Sequence, residues 1–445
     1  MKKSSVGAAL RRRLGERFVD GEVVRRALAL DASRIPPAAV PLGVVRPRDA
    51  KDVAAAVRIC ADHGTAIFPR GGASGLTGGS LVSRPGVVMD FAPLNRILRL
   101  SPEDRTVSVQ AGVLTGRLHE ALERLGFLYP PDPASAAFCT VGGNLSENAG
   151  GLRALKYGTT RDYLLAATVV TADGEILRLG SDAHKSVAGY DLLRLLVGSE
   201  GTLAIFVDAT LRFLPAPKAV ATLSAVFADE QAALEAALGL LKEGLLPRAL
   251  EFVDGVCAGA VGAASGPFLI VEFDGHPAEV RAAAAEARST LKKRDAVRVS
   301  LARAPARREA LWEARRRVST ALLKISPTKA AEDVCVPLSQ LPALYRALRR
   351  IGRACGVETC AYGHVGDGNL HVNLLPRSRR RTDGAVARLM KAALELRGTI
   401  TGEHGVGVSK KRYLPLETGA AVLSLMRRVK RLFDPRGVLN PGKIF

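Results

Sequence analysis

The sequence predicts an α+β chain built as two successive segments, and three observations carry that expectation. From Val44 onward, short β-branched runs alternate with stretches of helical apolar spacing. Two loops dense in glycine, at residues 69–80 and 140–151, interrupt the first half beside such runs. Pro215-Ala-Pro217 then breaks the chain, and a second alternation starts at Ala219 with alanine-rich helices.

Taken in order, residues 1–35 read as helical and peripheral, closed by Pro36-Pro37 and Pro41. Residues 50–63 carry helical spacing and lead into a short strand at 66–68. Strands follow at 87–91, 106–111, 166–171 and 203–214, with a helix at 114–125. In the second segment, strands are expected at 222–227, 268–273 and 332–336. Helices are expected at 230–241, 277–291 and 307–324. The tail, FDPRGVLNPGKIF, is rich in turn residues and predicts a structured end.

Composition removes several function classes. With 47% apolar and 24% charged residues the chain is of ordinary globular type. No apolar run is long enough for a membrane span. The opening MKKSSVGAALRRRLGERF lacks the apolar stretch of a secretory signal and reads as a helix, so a cytoplasmic location is expected. The six cysteines form no CxxC, which fits free thiols in a reducing compartment and argues against a protein-bound iron–sulfur cluster. The net charge is +21, but the basic runs at 11–13, 315–317, 377–381 and 427–431 are scattered and aromatics are only 5%. No specific nucleic-acid binding is expected from that pattern. A basic face for an acidic redox partner or for an anionic membrane surface fits better, with solvated helix faces as the plain alternative.

One stretch asks for chemistry. YGHVGDGNLHVN, residues 362–373, places His364 and His371 around Asp367-Gly368, a preferred centre for a two-residue hairpin turn. A reversal there sets Val365 opposite Leu370 and His364 opposite His371, with Asn373 on the same face. That pair is either a cross-strand couple of satisfied polar residues or part of a metal site. TGEHGVG, residues 401–407, adds Glu403 and a third imidazole, His404, in a glycine-hinged loop. Two histidines and one glutamate with open positions form a familiar catalytic set for a divalent cation: zinc, manganese, iron or cobalt. In the 307–324 helix, Ser319 shares the face of Arg315, whose planar fork suits a carboxylate. The alternative for Arg315 is membership of a solvated arginine run with Arg316 and Arg317.

The first glycine loop, PRGGASGLTGGS, is neither GxGxxG nor a Walker loop, so a nicotinamide Rossmann site is not supported. Paired with TVGGNLSENAGG, it suits one large polar ligand carrying phosphates, such as a dinucleotide. PRGGASGLTGGS, PPDPASAAFCTVGGNLSENAGG and LLVGSEGTLAIF resemble the flavin-binding domain of the vanillyl-alcohol-oxidase superfamily. With YGHVGDGNLHVN, TGEHGVG and NPGKIF in the same order, the chain from about Val40 is similar to FAD-linked 2-hydroxy-acid dehydrogenases: the glycolate oxidase flavoprotein subunit, D-lactate dehydrogenases and D-2-hydroxyglutarate dehydrogenase.

The resemblance implies a two-subdomain FAD-binding domain with an α+β substrate (cap) domain. The expected division is an N-terminal helical segment at 1–36, the FAD domain at 37–216, the cap at 217–425 and a C-terminal segment at 426–445 returning to the FAD domain. It implies that Pro69, Arg70, Gly71, Gly72, Ala73, Ser74, Gly75 and Gly78 wrap the FAD pyrophosphate. Pro131, Thr140, Gly142, Gly143, Asn144, Ser146, Asn148 and Gly151 would line the flavin. Glu200, Gly201 and Ile205 would hold the adenine side, and Asn440 would return to the isoalloxazine. Ser74 matches the position where covalent relatives carry histidine, which implies non-covalent FAD. The resemblance further implies a divalent metal, zinc or manganese, on His364, His371 and Glu403, and His404 as the catalytic base. Arg315 would hold the substrate carboxylate, with Ser319, Lys329 and Asn373 around the substrate.

The implied reaction is oxidation of a 2-hydroxy acid to a 2-oxo acid by hydride transfer to flavin N5. The electrons would pass to a quinone, a cytochrome, an electron-transfer flavoprotein or an iron–sulfur subunit. An oxidase using O2 and a basic flavin-binding protein without turnover are the rival readings. Peripheral association with the inner face of a membrane and a homodimer are compatible with the charge and the resemblance.

Overall fold

A computed structural model describes residues 5–376 and 382–445; the basic run at 377–381 lies outside the described residues. The chain divides into two compact units. The first comprises Met1–Gly150, Thr159–Ala216 and Glu403–Phe445; the second comprises Gly151–Gly158 and Pro217–Gly402. The expected cut at 425/426 falls inside the helix Leu414–Phe433.

The first unit holds two larger sheets and a two-stranded pair of Phe127–Leu128 with Leu214–Pro215. Strands β1 (Phe18–Val19), β2 (Gly43–Val45), β3 (Ala66–Arg70) and β4 (Gly86–Asp90) form one, in the order β1-β2-β4-β3, with β4 parallel to both β2 and β3. Strands β5 (Ile97–Ser101), β6 (Thr106–Gln110), β7 (Leu164–Val170), β8 (Ile176–Gly180) and β9 (Ile205–Arg212) form the other, antiparallel in the order β5-β6-β9-β7-β8. The expected strand at 203–214 is therefore shorter at both ends.

The parallel arrangement of β2, β4 and β3 requires a crossover, and the helix Ala50–Asp62 supplies it. The Asp49 carboxylate caps that helix by accepting from the Asp52 N–H (2.9 Å), a contact type worth about 1 kcal/mol. Val53, Ala56, Val57 and Cys60 of this helix are fully buried in a core with Ile67, Val87 and Met89. The N-terminal helix Val6–Leu14 is not peripheral as expected: Leu10 and Leu14 are buried in the same core. Its apolar residues are few but spaced four apart, so they fall on one face. The tail closes this unit, because the Ile67 N–H donates to the Val438 carbonyl (2.8 Å) and the Asn440 N–H to the Ile67 carbonyl (2.8 Å).

The second unit is one antiparallel sheet. Its strands are β10 (Ala219–Val226), β11 (Ala249–Val253), β12 (Phe268–Gly275), β13 (Arg298–Ala302), β14 (Ala330–Cys335), β15 (Glu358–His364) and β16 (Asn369–Leu375). They run in the order β13-β10-β12-β11-β15-β16-β14. Helices Glu230–Lys242, Pro277–Lys293 and Pro305–Ile325 form where helical spacing predicts them. Trp312, Val318 and Leu322 of the last helix pack with Cys257, Phe268, Cys360 and Tyr362 in this unit's core.

The β15–β16 hairpin departs from its expected register. Tyr362, not His364, pairs with His371, and Cys360 pairs with Asn373. The two-residue turn expected at Asp367-Gly368 is replaced by a longer turn between Val365 and Gly368. The shift is two residues, an even number, so His364 and His371 stay on one face as diagonal neighbours. Its physical reason lies on the other side of β15. There His364 pairs with Glu251 of β11, a partner that a local turn rule cannot anticipate.

Candidate active site

In the first unit, a cleft open to solvent runs along both glycine loops. Pro69, Arg70, Gly71, Gly72, Ala73, Ser74 and Gly75 line it. So do Thr140, Gly142, Gly143, Asn144, Ser146, Glu200, Gly201, Ile205 and Asn440. Four expected cofactor residues do not. Gly78 turns the loop at φ +85 against Leu81 and Val408. The Pro131 carbonyl accepts from His119 Nε2 (2.8 Å), and Pro133 lines the cleft instead. Asn148 ends a helix in the left-handed region, and its Oδ1 accepts from the Thr159 hydroxyl (3.0 Å) and the Arg161 N–H (2.9 Å). Gly151 belongs to the second unit.

Close backbone packing explains the glycines. A Cβ on Gly72 would stand 2.0 Å from the Phe138 carbonyl oxygen, so any side chain there forces the backbone apart. Ala73, Glu200 and Asn440 line the cleft with positive φ (50°, 53° and 40°). Such conformations cost on the order of 1–3 kcal/mol each and gather at ligand clamps. Arg70 donates to the Leu30 carbonyl and lies near Asp31 and Asp90.

Two polar atoms of the cleft are buried without a hydrogen-bond partner: Asn440 Oδ1 and Glu147 Oε2. The Asn440 amide nitrogen is occupied, donating to the carbonyls of Gly79 (2.9 Å) and Glu200 (2.7 Å). Buried polar atoms are nearly always satisfied, so both orphans point to a missing polar ligand. Burial, then the charges of Glu200 and Asp31, push the Glu147 carboxyl well above its ordinary value. Glu200 is also raised by burial, though its carboxylate accepts from the N–H groups of Val406 (2.7 Å) and Gly407 (2.9 Å). A phosphate-bearing dinucleotide suits a cleft with glycine-lined walls and unsatisfied polar atoms.

Glu403 and His404 line the same cleft. The chain bends at 402–404, and His404 Nε2 lies 4.0 Å from Glu403 Oε1. The Thr77 hydroxyl donates to the His404 carbonyl (2.9 Å) and anchors the loop.

The second unit carries a cluster of charged side chains. Arg315 is only 4% exposed, whereas its neighbours Arg316 and Arg317 face solvent. The solvated-run alternative therefore fails for Arg315. Its Nε (2.6 Å) and Nη2 (2.6 Å) donate to Glu251 Oε2, and its guanidinium lies 4.5 Å from the Tyr362 ring centroid. Glu251 Oε1 accepts from His364 Nδ1 at 2.5 Å. Burial alone would raise the Glu251 carboxyl; the His364 imidazole and the Arg315 guanidinium overcome it and hold the group below its ordinary value.

His364 Nε2 faces His371 Nε2 at 3.3 Å. The Asn373 side-chain N–H donates to the His371 carbonyl (3.3 Å). Lys329 Nζ donates to Asn373 Oδ1 (2.5 Å) and Ser319 Oγ (3.3 Å), so the helix, the loop after it and β16 converge on three polar groups. Asp333 of β14 accepts from the Gly402 N–H (2.7 Å) and the Thr401 hydroxyl (3.1 Å). A Cβ on Gly402 would meet the Asn369 side chain at 2.6 Å, so glycine is needed there. Glu403 follows directly in the chain. The His364 and His371 nitrogens, 3.3 Å apart, match the spacing of roughly 3.3 Å between two nitrogens on a tetrahedral zinc with bonds of about 2.0–2.1 Å, so this pair fits two positions of a divalent cation.

Sequence reasoning missed Glu147, Glu251 and Asp333. Glu147 lies within the second glycine motif and was open to notice. Glu251 and Asp333 carry no motif; their importance comes from strand partners distant in the chain.

Two family models match the chain: "FAD binding domain" over residues 41–180 and "FAD linked oxidases, C-terminal domain" over residues 216–444. The chain is 38% identical to glycolate oxidase subunit GlcD of Bacillus subtilis (strain 168), over 97% of this chain and 94% of that protein. It is 36% identical to D-2-hydroxyglutarate dehydrogenase of Xanthomonas citri pv. viticola, over 91% of this chain and 89% of that protein. A solved structure of p-cresol methylhydroxylase superposes with a TM-score of 0.83 at 17% identity, covering 99% of this chain and 96% of that one.

Proposed function

The chain belongs to the FAD linked oxidase family and is an FAD-dependent oxidoreductase of the 2-hydroxy-acid dehydrogenase type, and from that premise we propose that it oxidises a 2-hydroxy acid with a divalent cation on His364, His371 and Glu403 and with His404 as base. One observation supports the reading: the second unit holds two imidazoles facing each other at 3.3 Å, as two donors of a cation site would, and Glu403 and His404 line the first unit's cleft suited to FAD.

Bound FAD supplies the acceptor for the hydride leaving the substrate carbon, and a divalent cation supplies Lewis acidity at the substrate hydroxyl. Arg315 binds the substrate carboxylate. Two of its N–H groups are committed to Glu251, which fixes the guanidinium plane and leaves other donors of the fork for the substrate. His404 takes the hydroxyl proton. The hydroxyl proton and the hydrogen on the same carbon are both lost, which leaves a 2-oxo acid. Lys329, Ser319 and Asn373 sit about one helical turn beyond Arg315 and suit a polar or anionic substrate tail. FAD is held non-covalently, because Ser74 offers no imidazole for attachment. The reduced cofactor passes electrons to a separate carrier: a quinone, a cytochrome, an electron-transfer flavoprotein or an iron–sulfur subunit. No helix among the described residues is long and apolar enough to cross a membrane.

The test is anaerobic bleaching of the flavin spectrum by glycolate, D-lactate and D-2-hydroxyglutarate. At least one should bleach it within seconds, and acid precipitation should release the flavin into the supernatant. A spectrum indifferent to all 2-hydroxy acids, or flavin left on the pellet, contradicts the reading. Reoxidation by O2 as fast as by an artificial dye would favour the oxidase.

A further inference from the structure

Glu251 of β11 is fully buried, and its two carboxylate oxygens serve two different functional residues. Oε2 accepts both bonds from Arg315, at 2.6 Å each, and Oε1 accepts from His364 Nδ1 at 2.5 Å. A carboxylate can only accept, so His364 must carry its proton on Nδ1. In the neutral imidazole, the form a cation binds, the lone pair is then on Nε2, the nitrogen that faces His371 at 3.3 Å. Tyr362 completes a closed circuit. Its ring lies 4.5 Å from the Arg315 guanidinium and 5.2 Å from the His371 ring.

We propose that Glu251 is a positioning residue that orients the substrate-binding arginine and a cation-binding histidine through one carboxylate, so that cation affinity and substrate affinity depend on the same side chain. This rests on the functional reading of Arg315, His364 and His371 given above. The partners are 64 and 113 residues away in the chain, and the sheet register brings them together. Glu251→Gln keeps the size of the side chain but offers only one accepting atom. The charged guanidinium takes that atom. The new amide N–H then faces His364 and moves the imidazole proton from Nδ1 to Nε2, where it blocks the cation.

The experiment titrates Mn2+ and Zn2+ into the metal-stripped, FAD-loaded protein. Glu251→Gln should raise the metal dissociation constant about 10–100-fold, the usual cost of losing a partner that orients a ligand. KM for the 2-hydroxy acid should rise in the same variant, while flavin content and the flavin spectrum stay as in the wild type. Because an unpaired Arg315 can prevent folding, Glu251→Leu combined with Arg315→Met is measured as well; with no acceptor left for His364 Nδ1–H, it too should show the weakened metal site. A third measurement needs no variant. In 15N-histidine spectra of the metal-stripped wild type, His364 should be the Nδ1–H tautomer. Wild-type metal affinity in either folded variant, or a His364 Nε2–H tautomer in the wild type, overturns the role of Glu251 while leaving the cation site standing. A wild type that binds neither cation removes the cation site itself, and the role of Glu251 with it.

Discussion

The cleft of the first unit and the charged cluster of the second are built from opposite materials. The cleft is made largely of backbone: glycines packed against carbonyls and residues at positive φ. The cluster is made of side chains, each held by another, with Arg315, Glu251, His364 and His371 almost wholly buried. A backbone site recognises a large ligand through many weak contacts, so deleting one side chain costs little but adding one Cβ costs much. A side-chain site concentrates its chemistry in a few atoms and fails when one is removed.

The largest expected effects therefore fall on the cluster and the base beside it. His371→Ala should abolish divalent-metal binding and nearly all flavin reduction while the protein stays yellow. Metal analysis and stopped-flow absorbance check both halves. A variant that keeps its metal would mean the donor set is read wrongly.

His404→Gln should slow flavin reduction by roughly 10²–10⁴-fold, the worth of a positioned base, with FAD and metal content unchanged. Reduction at the wild-type rate would assign the proton to another acceptor.

Arg315→Ala removes the proposed carboxylate anchor and leaves Glu251 without its cation. Losing such a buried pair costs on the order of 2–5 kcal/mol, so kcat/KM should fall at least about thirtyfold. Arg316→Ala is the control and should change it little, since Arg316 is exposed and pairs with Glu309 and Glu313.

The cleft should respond in the reverse manner. Ser74→Ala should leave FAD binding within a few-fold of wild type, whereas Gly72→Ala should yield protein depleted of FAD, read from the ratio of flavin to protein absorbance. Loss of FAD in Ser74→Ala with none in Gly72→Ala would invert the contrast between the two regions.

The smallest effect concerns Glu147. Burial and the neighbouring acids raise its carboxyl above the unfolded value, so the folded state binds its proton more tightly than the unfolded state. That stabilisation is complete below the unfolded pKa and is lost as pH rises through the folded one. Glu147→Gln cannot ionise. In the FAD-free protein its melting temperature should exceed the wild-type value by roughly 2–4 °C at pH 8, for about 1 kcal/mol, with a smaller gain at pH 5. A gain that shrinks as pH rises would contradict the assignment.

The same contrast explains what could be read in advance. The glycine loops are local in sequence, so most of their lining residues were legible from the motifs. Most helices were legible as well, because helical spacing is a property of consecutive residues. The hairpin face survived a wrong register only because the shift was even. The Glu251 link was not legible, since β11 meets β15 through sheet order, and nothing near Glu251 in the chain marks it. Arg315 was singled out by the resemblance, and its burial on the packed face of the helix separates it from the exposed Arg316 and Arg317 of the same run.

The central claim is that a 2-hydroxy acid reduces the flavin only when the His364/His371/Glu403 site holds a divalent cation. The most direct measurement is anaerobic bleaching before metal stripping, after it, and after adding metal back. The account predicts that stripped protein keeps its FAD spectrum, loses bleaching, and recovers it with a stoichiometric divalent cation. Undiminished bleaching by the fully stripped protein would contradict it.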